Sequence, residues 1–235
     1  MFEQLKYLSA SKNVYLISFL RDYEADGLEY LKPFCQEISW VRIKERERKS
    51  YSFTEPGFIK NYYSKDMESL ILKKIKEICP DILQFEYLPM AQYKNGLKVR
   101  SILTEHQLGF LCIKKELDIE KNVFKRALLY LRYKRLMDYE LNTLRKFDNV
   151  VFLNDKEAQR TFLGPKSFVS SMGVDTEYFT PGKSRLEDTD LIFIGNFDSF
   201  QNIDSMRFLV DYIWPLIISK RSSATFKIAG YKSKE

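Results

Sequence analysis

Glycine is scarce in this chain, with nine residues among 235, which is about 4% against a usual value of about 7%. No two of them lie closer than nine positions apart. The GxGxxG fingerprint of dinucleotide-binding proteins and the phosphate-binding P-loop both need glycines two to five positions apart. The sequence therefore excludes both motifs.

Histidine and cysteine are also rare. His106 is the only histidine, which excludes HExxH zinc sites and multi-histidine metal cages. Cys35, Cys79 and Cys112 are odd in number and far apart, so neither a CxxC motif nor a disulfide framework fits them. This pattern favours a reducing compartment. We expect a cytoplasmic chain with no metal and no cofactor.

Long apolar runs are missing as well. A bilayer-spanning helix needs about 18 or more apolar residues, whereas the best runs here are short, as at 149–153. The N-terminal residues MFEQLKYLSASKN lack the features of a signal peptide. The net charge of +6 is a mild basic excess, which suits nucleic acid, anionic lipid or phosphate ligands about equally.

The remaining sequence alternates between strand-like and helix-like segments. The predicted strands are 14–20, 38–43, 81–87, 98–104, 149–153, 167–170, 191–194 and 225–229. The predicted helices are 2–10, 23–34, 58–78, 120–146, 155–163 and 202–220, with N-caps at Asn154 or Asp155 and at Asn202 for the last two. Such alternation is typical of βαβ units and a mainly parallel sheet.

A polar segment at 180–190 contains proline and glycine and is typical of an interdomain linker. We therefore predict one domain over residues 1–180 and the beginning of a second over 181–235. The acidic triplet at 188–190 spells DxD, a metal-diphosphate motif elsewhere, but it precedes an apolar strand instead of following one. We interpret the triplet as solvated loop.

Four segments in order resemble one known family. They are ILTEHQLG at 102–109, DYELNTLRKFDNVVFLND at 138–155, SMGVDTEYFTPG at 171–182 and LIFIGNFDSFQNIDSMRFLVDYIWPLI at 191–217. Together they resemble the family-4-type (group 1) glycosyltransferases of the GT-B fold. The resemblance implies an α/β fold with a Rossmann-like parallel sheet as the acceptor domain, followed by the start of a second Rossmann-like donor domain.

The resemblance also implies an activity. Such enzymes transfer a sugar from a nucleotide-sugar donor to a glycan or lipid-linked acceptor in cell-surface polysaccharide biosynthesis, with retention and without a metal. Compared with the family, the chain lacks the first strand with its Gly-rich loop and most of the donor domain. We therefore expect a chain truncated at both ends that binds sugar nucleotides poorly by itself.

His106 is the candidate catalytic residue, because a histidine at the carboxyl end of a parallel strand faces the ligand crevice of such sheets. In the resembling family this histidine contacts sugar hydroxyls, and the alternative is a structural histidine. Glu105 is a candidate substrate-binding residue that could orient the ring, although facing solvent is the simpler expectation. Gly195 and Asn196 could hold a donor phosphate at the following helix N-terminus, or they form an ordinary turn.

The helix at 120–146 is basic and aromatic, with seven Lys or Arg against Asp138 and Glu140 over 125–146, a local charge of +5. Arg132, Lys134 and Arg135 are candidates for contact with an anionic membrane at the inner face. The simpler interpretation is a core helix with a solvated basic face.

Two other functions stay open. One is a GT-B-like sugar-nucleotide epimerase. The other is a non-catalytic basic module that binds membrane or nucleic acid, although we expect no nucleic-acid partner.

Overall fold

The chain divides into two compact units. The computed structural model describes residues 2–43, 56–180 and 191–233, and the two units are Met1–Asp175 and Thr176–Glu235. We predicted a domain boundary slightly later, after residue 180. The predicted linker, apart from Thr180, and its acidic triplet lie outside the described residues.

All strand pairs among the described residues of the first unit are parallel. The strands are β1 (Tyr15–Leu20), β2 (Glu37–Arg42), β3 (Ile82–Glu86), β4 (Arg100–Glu105), β5 (Asn149–Phe152) and β6 (Ser167–Val169). β1 pairs with β2, whereas β3, β4, β5 and β6 form a four-stranded sheet in sequence order. The α/β class with parallel, Rossmann-like sheets is therefore confirmed.

One helix precedes these strands and the others lie between them from β2 onward. They are α1 (Phe2–Ser9), which comes first, and then α2 (Gly57–Lys60), α3 (Lys65–Ile78), α4 (Gly109–Ile119), α5 (Val123–Leu144) and α6 (Asp155–Thr161). α5 begins where the Asn122 side chain accepts the N–H groups of Phe124 and Lys125. α6 begins at Asn154, one of the two predicted caps, whose side chain accepts the N–H of Glu157. We predicted α5 within two or three residues and missed α4.

The core of the first unit is built around β4 and β5. Leu103 on β4 and Val150 and Phe152 on β5 are fully buried. Leu136 and Leu144 of α5 belong to the same cluster. Strands buried on both faces tend to carry nearly continuous apolar runs, which explains why β5, with Val150, Val151 and Phe152 in succession, was predictable.

Two predicted helices differ from the structure. Residues 23–34 form two short 3-10 helices, Asp22–Leu28 and Lys32–Phe34, because Gly27 and Pro33 both disfavour a continuous α-helix. The predicted helix at 58–78 is divided into α2 and α3, since Ser64 before α3 is extended. The Tyr93 hydroxyl stabilises this break, accepting the Ser64 N–H at 2.8 Å.

The second unit, taken by itself, contains one parallel strand pair among its described residues. β7 (Leu191–Ile194) pairs with β8 (Phe226–Ala229), and α7 (Phe200–Phe208), a π-helical turn and α8 (Trp214–Lys220) lie between them in sequence. α7 begins after Ser199, so the predicted N-cap at Asn202 is wrong. Pro215 has no N–H to donate to the preceding turn, and the π-helical turn directly precedes its helix.

Candidate functional site

The ends of two neighbouring strands carry the candidate site. Glu86 is the last residue of β3, and His106 directly follows the end of β4. β3 and β4 are parallel, with Glu86 opposite Thr104, so both strands end at the same edge of the sheet. There His106 Nε2 lies 2.8 Å from Glu86 Oε2. His106 therefore occupies the strand-end position that we predicted.

Glu86 is held in turn by two polar side chains. The Thr104 hydroxyl donates to Glu86 Oε1 at 2.9 Å, and Gln84 Nε2 donates to the same oxygen at 2.6 Å. The other carboxylate oxygen accepts from the ring, so Nε2 of His106 carries a proton, and Nδ1 is the acceptor whenever the imidazole is neutral. The carboxylate thus sets both the orientation and the tautomer of the ring.

Tyr87 covers one face of the imidazole. Its ring stacks on His106 with the centroids 3.9 Å apart and an interplanar angle of 7°. The backbone of Tyr87 has a φ of +71°, a conformation that is rare for a bulky residue and is found at sites where surrounding bonds enforce it. Here the Tyr87 N–H donates to the Thr104 carbonyl at 3.1 Å. Glu86, Tyr87 and His106 form what we call the strand-end cluster.

We missed Glu86 and Tyr87 in the sequence. One signal was available in the strand DILQFEY, where Gln84 and Glu86 alternate with Leu83 and Phe85. This period of two places both polar side chains on one face of β3. What the sequence does not supply is the register that sets Glu86 beside the end of β4.

Glu105 does not face solvent, and that expectation is wrong. The residue is only 2% exposed, because β4 lies inside the four-stranded sheet and is covered on both faces. Burial, followed by the charge of Glu140, raises the pKa of Glu105 well above its usual range. This position suits a role in holding the turn after β4 better than direct contact with a substrate.

Gly195 and Asn196 are occupied by local bonds. The Gly195 N–H donates to the Ala229 carbonyl at 3.0 Å, so it is not available for a phosphate. The Asn196 side chain accepts the Asp198 N–H at 3.0 Å, and the Asn196 carbonyl accepts from the Asn202 side chain at 2.9 Å. These bonds favour an ordinary turn, while phosphate binding at these two residues stays a prediction.

The outer face of α5 carries an exposed apolar stripe. Phe124, Leu128 and Leu131 are 84%, 60% and 65% exposed, and their i, i+4, i+7 spacing places them on one face of the helix. Leu136 and Glu140, on the opposite face, are buried. α5 thus has one apolar face in the core and another in solvent.

The predicted basic residues lie beside this stripe. Arg132 and Lys134 are exposed and Arg135 is half-buried. On a helix of 3.6 residues per turn, Arg135 continues the line of the stripe, and the other two flank it. Their contact with a membrane stays a prediction.

The described residues contain neither a candidate membrane span nor a candidate cluster of metal ligands. Within residues 2–43, 56–180 and 191–233, no helix has both the length and the hydrophobicity needed to span a bilayer. Over the same ranges, no group of three or more His, Cys, Asp or Glu side chains is arranged to hold a metal ion.

Comparison with known proteins finds similar solved structures but no matching sequence or family model. No protein-family model matches the chain, and no curated protein sequence matches it. Among solved structures, sucrose-phosphate synthase from Thermosynechococcus elongatus is similar at 8% sequence identity and a TM-score of 0.49, covering 93% of this chain and 71% of that chain. At this identity and TM-score, no conclusion about function follows from the likeness.

Proposed function

We propose that this protein is a glycosyltransferase, which moves a sugar from a nucleotide-sugar donor to a hydroxyl of a glycan or lipid-linked acceptor in cell-surface polysaccharide biosynthesis. The four resembling segments and the parallel α/β units support the proposal. The observation that carries it is the bond between Glu86 and His106 at the carboxyl edge of the sheet, where parallel sheets bind their ligands.

In this proposal His106 contacts the sugar at the reacting centre. With Nε2 bound to Glu86, Nδ1 is the nitrogen that accepts a hydrogen bond from a sugar hydroxyl. The half-exposed ring of Tyr87 gives the apolar face of a sugar a surface to lie against. The residues contribute positioning and electrostatic support, and by the family resemblance the transfer retains configuration and needs no metal.

The test is a transfer assay with UDP-, GDP- and ADP-sugars and with glycan and lipid-linked acceptors. Because we expect weak binding of sugar nucleotides, the donors are supplied at roughly millimolar concentrations. Under these conditions the parent chain should release nucleoside diphosphate in an acceptor-dependent way, and His106→Ala should lower the rate by about 10²–10³-fold, the usual effect of one lost transition-state hydrogen bond. Gln107→Ala, an exposed neighbour in the same turn, is the matched control. An epimerised sugar nucleotide as the product would favour the epimerase instead, and equal rates for both variants would remove His106 from the site.

We also propose that the outer face of α5 attaches this protein to the inner leaflet of the membrane. An exposed stripe of Phe124, Leu128 and Leu131 is more apolar than a solvated helix face requires, and Arg132 and Lys134 flank it. Apolar side chains between basic ones suit the boundary between acyl chains and anionic headgroups. Each basic residue near such a surface contributes about 1 kcal/mol, so the attachment is weak and reversible.

Vesicle co-sedimentation tests this attachment. The parent should bind vesicles that contain anionic lipid and release them at about 1 M salt, where the screening length is about 3 Å. Arg132→Glu with Lys134→Glu should abolish binding, whereas the same charge change at two exposed residues of α3, Lys73→Glu with Lys76→Glu, should not. Equal binding by both double variants would contradict the proposal, and equal binding of duplex DNA would favour a nucleic-acid module.

A further inference from the structure

The turn between His106 and α4 is held by carboxyl groups from other helices. The Leu108 N–H donates to Glu157 Oε2 of α6 at 2.8 Å. The Gly109 N–H donates to Glu140 Oε1 of α5 at 2.9 Å, and the Phe110 N–H donates to Glu140 Oε2 at 3.1 Å. Three successive backbone groups behind His106 are thus fixed by two glutamates that are distant in sequence.

This arrangement is an uncommon way to begin a helix. The N-cap residue of α4 is Leu108, whose side chain makes no capping bond. A serine, threonine, asparagine or aspartate at that position satisfies the same N–H groups locally, with little charge removed from water. Here Glu140 is fully buried instead, and no salt bridge among the described residues reaches it. Burial of a carboxylate without a cation is unfavourable for stability.

The packing of α4 against α5 is shaped around this contact. Gly109 begins α4, and a Cβ added there would lie 3.1 Å from Leu136 Cδ2 and 3.8 Å from both carboxylate oxygens of Glu140. Glycine at this position lets the first turn of α4 approach α5 closely enough for Glu140 to receive two N–H groups. Glu105, on β4 immediately before His106, is buried nearby, and its Oε2 has no partner among the described atoms.

We propose that Glu140 is a positioning residue for His106. Its carboxyl group fixes the backbone at 109–110, Glu157 fixes residue 108, and the turn so fixed presents the imidazole to Glu86 at the end of β3. The effect of Glu140 on catalysis rests on the proposed sugar transfer, whereas its effect on the ring of His106 is independent of that function.

The acidic groups around Glu140 make the bonds that hold the start of α4 sensitive to pH. Glu105 from β4 and Glu157 from α6 are the acidic groups near Glu140, and the thiol of Cys112 on α4 also lies in their field. Burial raises the pKa of Glu140 to about 7, despite the two N–H groups that favour its charged form. Near neutral pH, the bonds that hold the turn therefore depend on one proton.

Nuclear magnetic resonance tests the proposal directly, because His106 is the only histidine. Protein labelled with ¹⁵N-histidine gives one Nδ1 and one Nε2 signal, and these report the tautomer of this ring alone. In the parent we expect the Nε2–H tautomer at pH 8. Glu140→Gln keeps the volume of the side chain but replaces one accepting oxygen by a donor, so the turn should loosen and the ring should populate the Nδ1–H tautomer measurably.

Three further variants make the result decisive. Asp138→Asn removes an exposed acid from the same helix and should leave the spectrum unchanged, as a control. Glu157→Ala removes only the acceptor of Leu108 and should give a smaller change, which keeps the proposal testable if Glu140→Gln does not fold. Shortening by one methylene in Glu140→Asp should restore part of the parent spectrum. An unchanged spectrum in folded Glu140→Gln, or in Glu157→Ala where the former is unfolded, would overturn the proposal.

Activity separates the two claims. If the parent transfers sugar, Glu140→Gln should lower kcat at least tenfold with little change in KM, and it should alter the pH profile of kcat near neutrality. If the parent transfers no sugar but the tautomer shifts as expected, the positioning role stands and the glycosyltransferase proposal fails. A tenfold fall in kcat without a change at His106 would contradict positioning through the ring.

Discussion

Two strand-to-helix turns in this protein share a local architecture and differ in their bonding. In the first unit the chain passes from β4 through His106 into α4, and in the second it passes from β7 through Gly195 into α7. The turn after β7 is held by backbone carbonyls at the end of β8, where Ala229 accepts the Gly195 N–H, and by the Asn202 side chain, which donates back to the Asn196 carbonyl. The turn after β4 is held by glutamates of α5 and α6 and directs its histidine to β3.

The two turns differ in the charge of the groups that hold them. In the turn after β7, backbone carbonyls and a neutral amide satisfy the polar groups, so no charge is removed from water. Polar groups satisfied by buried carboxylates from other helices cost desolvation, and natural proteins accept such local conflicts mainly at functional sites. By this measure we propose the turn after β4 as the site and interpret the turn after β7 as scaffold, and the predicted phosphate binding at Gly195 and Asn196 is the alternative to test.

The largest expected effect is a loss of stability at the turn after β7, where the backbone of Gly230 lies against the backbone of Gly195. A Cβ on Gly230 would lie 1.9 Å from the Gly195 carbonyl oxygen, at a φ of +130°. Gly230→Ala should therefore destabilise the second unit by at least about 4 kcal/mol. Gly96→Ala, with φ of +79° and nothing within 4 Å, should cost about 1 kcal/mol from strain alone.

The two tryptophans allow this to be measured for each unit. Trp40 lies in the first unit and Trp214 in the second, so denaturant unfolding in a Trp40→Phe background reports the second unit. If Gly230→Ala unfolds at the same denaturant concentration as its parent in that background, the tight backbone contact described for the second turn does not exist.

The second-largest expected effect is a loss of stability of the first unit as pH rises, caused by Glu140 at the turn after β4. The pKa of Glu140 is about 7 in the folded state against 4.5 for the free side chain. The folded protein therefore holds this proton more tightly than the unfolded chain, so the stability that Glu140 contributes is full below pH 4.5 and is lost as pH rises through 7. The loss is on the order of 3 kcal/mol.

Glu140→Gln cannot ionise and should lose less stability between pH 4.5 and 7 than the parent. Unfolding of the first unit, followed by Trp40 fluorescence in a Trp214→Phe background, measures the difference at each pH and cancels the contributions of other groups. Parallel stability curves for the two proteins would contradict a buried Glu140.

The smallest effects come from single side-chain bonds, one in each turn. Thr104→Val removes a donor to Glu86, and Asn202→Ala removes the bond to the Asn196 carbonyl. Each should cost about 1 kcal/mol of stability. Only Thr104→Val should also lower sugar transfer, because only Glu86 orients His106. A similar loss of transfer in Asn202→Ala would erase the distinction between the turns.

The strands of this fold were predictable because their patterns are strong. β5 and β7 carry the apolar runs NVVF and LIFI, whereas the strand before His106, which we predicted at 98–104, has a shorter apolar centre at Ile102 and Leu103. The cap at Asn154 was predictable from its residue type and its place before α6. These features depend on a few adjacent residues, which the sequence displays directly.

The bonds that define the site were not predictable in the same way. Glu86 and His106 are twenty positions apart, and only the pairing of β3 with β4 joins them. Glu140 looks in the sequence like one more acid on a charged helix, and its burial follows from how α5 packs under α4. The two 3-10 helices near Gly27 were missed because apolar spacing does not distinguish them from an α-helix.

The most direct test of the distinction between the two turns is sugar transfer by His106→Ala beside Asn196→Ala. Both variants should keep the stability of the parent to within about 1 kcal/mol, and their activities are compared at saturating donor and acceptor. We predict a fall of about 10²–10³-fold for His106→Ala and a rate close to that of the parent for Asn196→Ala. Full activity in His106→Ala, or an equal loss in both, would contradict the assignment of the site to the turn after β4.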